Sequence, residues 1–536
     1  MRQLRGTLKL MLSATTTTAE PGRRARIWLL VTLALVYALV SLVNHYNFRT
    51  AAFDLGILAQ TADQMAHGHA PRITQLLDAP PTNYLANHFS LTPALAAPLV
   101  YVVGAAWALL LLQLAAVLLG ALGVWHYAHA QGASYRAANW ALALFGCQWG
   151  IFSALAVDYH DNVVGAMAVP WLALWVGRGR TWPALGAALL ILVSKENMAL
   201  WLAALLLGLA WQHRTHRRRV VALALGAVGA LAYYTVITRY VMPALDTTHR
   251  PFPQMVRYAH LGSSLPGVVI NVLTHPRLLW AVLFQNTLPE ASYDYIKLET
   301  WLAVLVSGGW ALWRRPWYLL MLAPILGQKL LSSDYGFWGI NYQYSVEFAP
   351  ILALAVVDEL RTRSQPGRPA PARRAWTLAV AGAAVFTLTT LYVRRSEWYD
   401  RAAYNFLQGR HYRTTYPDRA GLYAALGQVP AGVPLSTVSR LVPHLLNRRD
   451  IFLFPVLRSA RLVLLPRTPG PDDSWPLSQA QLQAALPALR ARPGYRVLYE
   501  DAQVVLLARP APLAADTAEV WRSEPALKSS EGTTRP

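Results

Sequence analysis

The sequence predicts an all-α, multi-pass membrane domain of about eleven transmembrane helices, followed by a small extracytoplasmic α/β domain. Of the 536 residues, 55% are hydrophobic and only 14% are charged, whereas soluble domains carry about 25% charged residues. Long apolar runs alternate with short basic clusters, a pattern typical of polytopic membrane proteins. After about residue 394 the apolar runs become shorter and turn residues more frequent, which indicates a small domain with strands.

The transmembrane helices are predicted from apolar segments near the length of about 20 residues that a bilayer requires. These segments are 27–46, 105–128, 137–157, 162–177, 181–194, 196–212, 219–240, 298–313, 316–332, 343–360 and 375–393. The first precedes no small-residue cleavage site, so we interpret it as an uncleaved helix. The two segments around Lys195 and Glu196 are predicted to form a hairpin, and the apolar run 90–103 a re-entrant segment or an additional span.

Basic residues predict how the chain is oriented in the cell membrane. With the N-terminus in the cytoplasm, alternating spans place the arginine clusters on the cytoplasmic side, where Glu20 is the only acidic residue. The net charge of +21 is therefore attributed to orientation and not to nucleic-acid binding. The predicted organisation is a cytoplasmic N-terminus (1–26), a transmembrane domain (27–394) with outer loops 47–90 and 241–297, an extracytoplasmic α/β domain (395–508) and a disordered tail (509–536).

Strand and helix signals alternate within the α/β domain. Strands are predicted at 433–438, 451–454, 461–465, 495–499 and 504–508, and helices at 417–428 and 477–491. A single cysteine, Cys147, excludes a disulfide framework. The sequence has no phosphate-binding loop, no dinucleotide-binding glycine motif and no nucleophile elbow. These absences argue against a cytosolic activity driven by nucleotides.

Two polar residues in the first outer loop are candidates for chemistry. Asp54 follows the first span in an otherwise apolar stretch, where a partly desolvated carboxylate would serve as a base; capping a helix is the alternative role. His88 precedes the apolar run 90–103 and would contact a phosphate or a sugar, or simply lie at the bilayer interface.

Two turns between spans are the next candidates. Asp158, His160 and Asp161 lie within four residues, and carboxylate oxygens suit a divalent cation; a solvated turn with helix caps is the alternative. Lys195 and Glu196 are ionisable groups in an apolar context, which marks them as functional candidates. Lys195 would attract a lipid phosphate, unless the pair only neutralises itself at a hairpin tip.

The later outer segments offer cations and aromatic rings. Arg250 and Arg257 would clamp a phosphate, or meet lipid headgroups at the membrane surface. Tyr342 and Tyr344 would stack on a sugar, or belong to the aromatic belt at the interface.

The order of these motifs resembles a known family. The motifs are 53–60, 87–90, 109–113, 158–160, 194–196, 342–344 and 439–448. Together they resemble a bacterial and archaeal family of multi-pass membrane proteins, the domain of unknown function 2079, over residues 45–465. That family is similar to the GT-C glycosyltransferases, which use lipid-phosphate-linked sugars and place an acidic residue in the first outer loop.

The resemblance implies a GT-C-like fold and a transfer of sugar from a polyprenyl phosphate to an acceptor on the outer face. Asp54 would be the base and Glu196 a second catalytic residue. The substrate-binding residues would be His88, His160, Lys195, Arg250, Arg257, Tyr342 and Tyr344, and Asp158 and Asp161 would hold a divalent cation. GT-C enzymes often carry two acids in the first loop, whereas here the next acid is Asp63.

Two other functions are compatible with the sequence. A transporter or lipid flippase would need polar residues near the middle of the membrane, whereas most polar candidates lie near one face. A non-enzymatic scaffold would only present the α/β domain, and Asp54 and Lys195 could then be replaced freely.

Overall fold

A computed structural model describes residues 21–77, 79–246, 253–363, 369–392, 406–414, 416–470 and 473–509. Helices make up most of this part of the chain. The α-helices are Pro21–Tyr46, Ile57–Ala66, Tyr84–Asn87, Ala97–Val103, Ala105–Ala130, Tyr135–Gly146, Trp149–Ala156, Asp161–Met167, Val169–Gly177, Thr181–Ser194, Met198–Gln212, Arg217–Val236, Met242–Leu245, Leu265–Thr274, Pro276–Phe284, Ile296–Val304, Trp310–Arg314, Pro316–Leu330, Tyr335–Trp338, Phe348–Arg363, Pro369–Tyr392, Arg419–Leu426 and Gln479–Ala491. Short 3₁₀ helices are Thr92–Ala96, Pro253–Tyr258, Ala291–Tyr293, Gln343–Ser345, Gly409–Tyr412 and Val442–His444, and wider helical turns are Ala52–Gly56, Ile237–Val241 and Leu305–Gly309.

The described residues contain fewer full-length spans than the sequence predicts. Four helices in them are long and apolar enough to cross a membrane, namely Gly22–Tyr46, Ala105–Ala130, Arg217–Leu245 and Arg374–Leu391. The bent pair Leu265–Thr274 and Pro276–Phe284 makes five if it counts as one span. Every predicted segment contains helical residues, but the number of eleven spans is not confirmed.

Several predicted spans are interrupted. The segment predicted at 137–157 divides at Gln148, whose backbone is extended and whose amide donates to the carbonyl oxygen of Ser307 at 3.0 Å. The segment predicted at 298–313 bends at Gly308, where a φ of +116° requires glycine. Hydropathy along the sequence does not register such tertiary hydrogen bonds and bends, so it overestimates the number of unbroken spans.

Helices also occupy the stretch 241–297, which the sequence predicts to be a loop. Ser264 caps the helix Leu265–Thr274 by accepting a hydrogen bond from a backbone N–H. Proline at the first position of Pro276–Phe284 starts a second helix at an angle of 106° to the first. We call this helix pair the bent hairpin. Its buried residues form a small hydrophobic cluster that is separate from the main core.

The helix Ala105–Ala130 packs closely against the helices that follow the turn at 157–160. A Cβ atom at Gly123 would lie 2.8 Å from the ring nitrogen of Trp171. Small residues of this kind let helices approach one another inside a membrane, where van der Waals packing and not water exclusion holds them together.

A buried carboxylate joins several helices of the bundle. Asp358 accepts hydrogen bonds from the hydroxyls of Tyr127 at 2.9 Å and Tyr318 at 2.8 Å, and from the amide of Gln212 at 2.7 Å. Each partner lies on a different helix. A buried hydrogen-bonded network of this kind fixes the relative positions of the helices that it joins.

The strands form two sheets in the described part of the chain. A short antiparallel pair consists of β1 (Arg72–Ile73) and β2 (Thr82–Asn83). The larger sheet consists of β3 (Leu435–Thr437), β4 (Ile451–Leu453), β5 (Leu462–Pro466), β6 (Arg496–Glu500) and β7 (Val504–Ala508), in the order β4-β3-β5-β7-β6. β3 is parallel to β4 and β5, whereas β7 is antiparallel to β5 and β6. The prediction of a small sheet near the C-terminus is confirmed, while residues 510–536 lie outside the description.

The sheet region, residues 416–509 as far as they are described, packs on the first outer loop. The hydroxyl of Thr74 donates to the carbonyl oxygen of Ile451, and the amide of Gln60 donates to that of Arg449 at 2.9 Å. These contacts connect the first loop with a segment nearly 400 residues later in the chain. Membrane and sheet regions therefore share one packed interface.

Close packing at Gly150 gives a first prediction. A Cβ atom there would collide with the backbone carbonyl of Ser345, whereas none of the described atoms lies within 4 Å of a Cβ at Gly186. We expect Gly150→Ala to destabilise the protein by about 1–3 kcal/mol, the usual cost of overpacking. Gly186→Ala should be neutral or stabilising, because alanine favours a helix. Thermal unfolding in one detergent checks both, and equal midpoints for the two variants would contradict the packing.

Candidate active site

One cavity of about 870 Å³ brings most of the predicted site residues together. Eight of the predicted residues line it: Asp54, His88, His160, Asp161, Lys195, Glu196, Arg257 and Tyr344. The bent hairpin supplies an apolar part of the wall with Leu265, Val268, Val269, Val272, Leu273 and Leu279. The helix Pro316–Leu330 adds further apolar side chains. The wall is therefore amphipathic, with charged groups and hydrocarbon in one space.

Asp54 lies on a backbone turn that is unusual for a residue other than glycine. Its φ of +74° and ψ of −94° are far from helical values, although the wider helical turn Ala52–Gly56 surrounds it. Backbone conformations of this kind cost about 1–3 kcal/mol and persist only where the surroundings enforce them. The turn leaves the Asp54 side chain about half exposed, facing the cavity.

The buried carboxylate of Asp158 holds this turn. One of its oxygens accepts a hydrogen bond from the backbone N–H of Ala51 at 3.1 Å, and the backbone N–H of Leu55 also donates to the carboxylate. Asp158 thus accepts hydrogen bonds from the backbone on both sides of Asp54. Burial, and after it the negative charge of Asp54, raises the pKa of Asp158 to about 8.

Gln113 fixes the turn that carries Asp158. Its amide donates to the carbonyl oxygen of Asp158 at 2.8 Å and its oxygen accepts from the backbone N–H of His160, also at 2.8 Å. Gln113 is not among the site residues that the sequence predicts. A glutamine inside the apolar helix Ala105–Ala130 was the signal available, because polar residues in such helices are rare.

His160 faces Asp54 across the edge of the cavity. Its Nε2 atom lies 3.4 Å from Oδ1 of Asp54, and the ring is buried. Neither ring nitrogen has a hydrogen-bond partner among the described residues. Because Nε2 is close to Asp54 but outside hydrogen-bond geometry, a small shift of either side chain would complete the contact.

Asp161 lines the cavity with its carboxylate already hydrogen-bonded. The hydroxyl of Tyr84 donates to one oxygen at 2.7 Å and that of Thr92 to the other at 2.8 Å. The described residues contain no group of three or more His, Cys, Asp or Glu side chains that could hold a metal ion. That Asp158 and Asp161 bind a divalent cation stays a prediction.

Glu196 is buried beside His88 at another part of the wall. Nδ1 of His88 lies 3.1 Å from one carboxylate oxygen of Glu196, and the backbone N–H of Phe89 donates to the other oxygen at 3.1 Å. Both oxygens are occupied, so Glu196 is placed to orient His88. The neighbouring Lys195 also lines the cavity.

The remaining four predicted residues differ in their position relative to the cavity. Arg257 lines the cavity; its Nε lies 3.5 Å from a carboxylate oxygen of Asp334, and its guanidinium lies 4.8 Å from the ring centre of Phe337. Tyr344 stacks on Phe337 with ring centres 3.9 Å apart. Tyr342 is not among the described residues that line the cavity, and Arg250 lies outside the description.

Three amide side chains outside the predicted site residues also face the cavity. Asn162 donates to a carboxylate oxygen of Glu347 at 2.7 Å, and Asn197 donates to the side-chain oxygen of Gln328 at 3.0 Å. Gln343 belongs to the same wall. Asn162 and Asn197 directly follow predicted site residues and Gln343 lies between two of them, but only the packing shows that these amides face the cavity.

Family membership follows from the sequence between residues 44 and 506, which matches the model of a family described as predicted membrane protein, DUF2079. The chain belongs to this family. No protein of curated function matches this DUF2079 chain.

Solved structures that resemble this chain include two states of ArnT and one archaeal oligosaccharyltransferase. ArnT from Cupriavidus metallidurans bound to undecaprenyl phosphate is 15% identical, with a TM-score of 0.45 over 92% of this chain and 99% of ArnT. The apo state of ArnT is 14% identical, with a TM-score of 0.44 over the same shares of 92% and 99%. The Archaeoglobus fulgidus oligosaccharyltransferase tethered to an acceptor peptide is 12% identical, with a TM-score of 0.39 over 80% of this chain and 63% of that one.

The buried Asp158 makes the stability of this DUF2079 protein depend on pH. The pKa of Asp158 in the folded chain is about 8, whereas that of an exposed aspartate is about 3.9. Asp158 therefore contributes fully to the stability of the folded state below about pH 4, and this contribution is lost as the pH rises through about 8. The loss amounts to at most about 1.4 kcal/mol per pH unit. We expect the unfolding temperature of the wild type to fall between about pH 5 and about pH 9, and Asp158→Asn to reduce the fall. The exposed Asp418 provides the control Asp418→Asn, and a slope shared by all three proteins would contradict the assignment.

Proposed function

We propose that this protein is a membrane glycosyltransferase of the GT-C type that moves a sugar from a polyprenyl-phosphate donor to an acceptor on the outer face of the membrane. The observation that carries the proposal is the amphipathic cavity, in which Asp54, His160, Lys195 and Arg257 share a wall with the apolar bent hairpin. A lipid-linked sugar phosphate has the same combination of charge and hydrocarbon.

The phosphate of such a donor would be recognised by the cations of the wall. Lys195 offers a point charge, while the planar guanidinium of Arg257 offers several donors. His88, oriented by Glu196, adds a third donor group when Nε2 carries a proton. These groups would stabilise the negative charge that develops on the phosphate as it leaves.

The hydrocarbon chain of the donor would lie against the bent hairpin. Val269 and Leu273 line the cavity and are also substantially exposed on the protein surface, as is their neighbour Ile270. An apolar helix with one side on the cavity and another on the surface offers a lipid a continuous hydrophobic path from the bilayer.

The transfer would begin at Asp54. Its carboxylate would accept the proton of an acceptor hydroxyl, the hydroxyl oxygen would form a bond to the anomeric carbon of the sugar, and the bond from that carbon to the phosphate oxygen would break. The polyprenyl phosphate leaves with the electron pair of that bond. His160 would donate a hydrogen bond to Asp54 or to the acceptor, which lies in the same space.

Removing the base tests the proposed reaction. The full-length protein would be placed in proteoliposomes made with lipids from its native membrane, and the release of free polyprenyl phosphate would be followed by mass spectrometry. We expect Asp54→Asn to reduce release by at least about 100-fold, because general base catalysis contributes about 10²–10⁴-fold. The matched control is Asp63→Asn, on the next helix and outside the cavity lining among the described residues. Equal release from wild type and Asp54→Asn would refute the proposal and favour a transporter or scaffold.

Binding of the leaving group tests the cations separately. We expect Lys195→Gln and Arg257→Gln each to weaken binding of a long-chain polyprenyl phosphate by about tenfold or more, since hydrogen bonds to charged groups contribute about 1.5–3 kcal/mol. The control Arg277→Gln changes an exposed arginine of the bent hairpin that is not among the cavity-lining residues. Tryptophan fluorescence titration in nanodiscs measures the affinity. A similar loss in the control would show that surface charge and not the cavity attracts the lipid.

A further inference from the structure

The strained turn at Asp54 is held from a second direction by the sheet region. The backbone N–H of Ala52 donates a hydrogen bond to the hydroxyl oxygen of Ser439 at 3.1 Å. Ser439 is buried and lies 387 positions further along the chain. Asp158 holds Ala51 and Leu55, so Ser439 is bonded to the N–H between those two anchor points.

Several contacts keep Ser439 in place against the first loop. The guanidinium of Arg440 donates to the carbonyl oxygen of Phe48 at 3.1 Å, and the ring centre of His444 lies 4.2 Å from that of Phe48. A Cβ atom at Gly56 would lie 3.0 Å from Cγ1 of Val442. The segment 439–444 therefore fits closely around the turn, and Ser439 has little freedom to move away from Ala52.

We propose that Ser439 is a positioning residue for Asp54, and that the sheet region is therefore part of the transfer site and not a separately attached domain. This inference rests on the proposed function for its catalytic consequence. Its structural part, that Ser439 holds the turn, stands on the hydrogen bond and the packing alone.

Ser439 would position Asp54 because the backbone strain of the turn is balanced by its hydrogen bonds. A conformation such as that of Asp54 persists only while its surroundings enforce it. Without the hydroxyl of residue 439, the buried N–H of Ala52 loses its hydrogen-bond acceptor. The turn then lowers its free energy by relaxing to a conformation in which this N–H finds another acceptor. The Asp54 carboxylate would then spend less time facing His160, while the groups that bind phosphate stay in place.

The variants Ser439→Ala and Ser439→Thr in the full-length protein test the inference. Threonine keeps the hydroxyl, and Ser459→Ala removes a hydroxyl from an exposed part of the same region as the control. Hydrogen–deuterium exchange of the peptide that contains residues 51–56 reports on the turn without any substrate. Release of polyprenyl phosphate and its binding affinity report on the site.

We expect Ser439→Ala to speed exchange of this peptide and to slow release by about tenfold, equivalent to about 1.4 kcal/mol, while affinity for polyprenyl phosphate changes less than twofold. Ser439→Thr should restore both exchange and release. The positioning role would be overturned if the peptide exchanged in Ser439→Ala at the wild-type rate. It would also be overturned if this variant lost affinity for polyprenyl phosphate as strongly as it lost release. If Asp54→Asn also leaves release unchanged, the proposed transfer fails, and the exchange result alone decides whether Ser439 holds the turn.

Discussion

The arrangement of the cavity depends on keeping Asp54 in a backbone conformation that a free chain would avoid. Strain of about 1–3 kcal/mol has to be offset locally. Each hydrogen bond contributes about 1 kcal/mol net, and the N–H groups of Ala51, Ala52 and Leu55 are all bonded to side chains from other parts of the chain. Together the three hydrogen bonds contribute about as much free energy as the strain costs. The loss of one of them would therefore lower the fraction of molecules in which the turn is formed.

Holding the turn with a carboxylate has an electrostatic consequence. Asp158 is buried beside the negative charge of Asp54, and both effects raise its pKa. The backbone N–H groups that it accepts from act in the opposite direction and favour the ionised form. The net rise indicates that burial dominates. Asp54 itself remains open to the cavity, where a substrate could reach it.

A cavity with polar groups in its wall requires turns between the helices of this membrane protein. Irregular backbone at membrane depth is tolerated where it is buried in protein or lines a cavity. The turns at 157–160 and 195–197 line the cavity, because His160, Lys195 and Glu196 contribute to the wall. The turns between consecutive predicted spans are thus the features that bring these polar groups to one place.

The sequence alone determined the membrane character, the apolar segments and the small sheet near the C-terminus, because hydropathy, charge and alternation are properties of short stretches. It also identified eight of the residues that line the cavity, since polar side chains are conspicuous in apolar surroundings. Orientation in the membrane remains a prediction from the basic clusters.

Tertiary structure decided which of these residues meet and what each one contacts. Asp158 holds a backbone turn 107 positions earlier in the chain, and the nearby charge of Asp54 helps to raise its pKa. The two carboxylate oxygens of Glu196 contact the His88 ring and the backbone N–H of Phe89, more than 100 positions earlier in the chain. Ser439 joins the site from 387 positions away. Such contacts join segments that are remote in sequence, so no local pattern encodes them, and they appear only when the chain has folded.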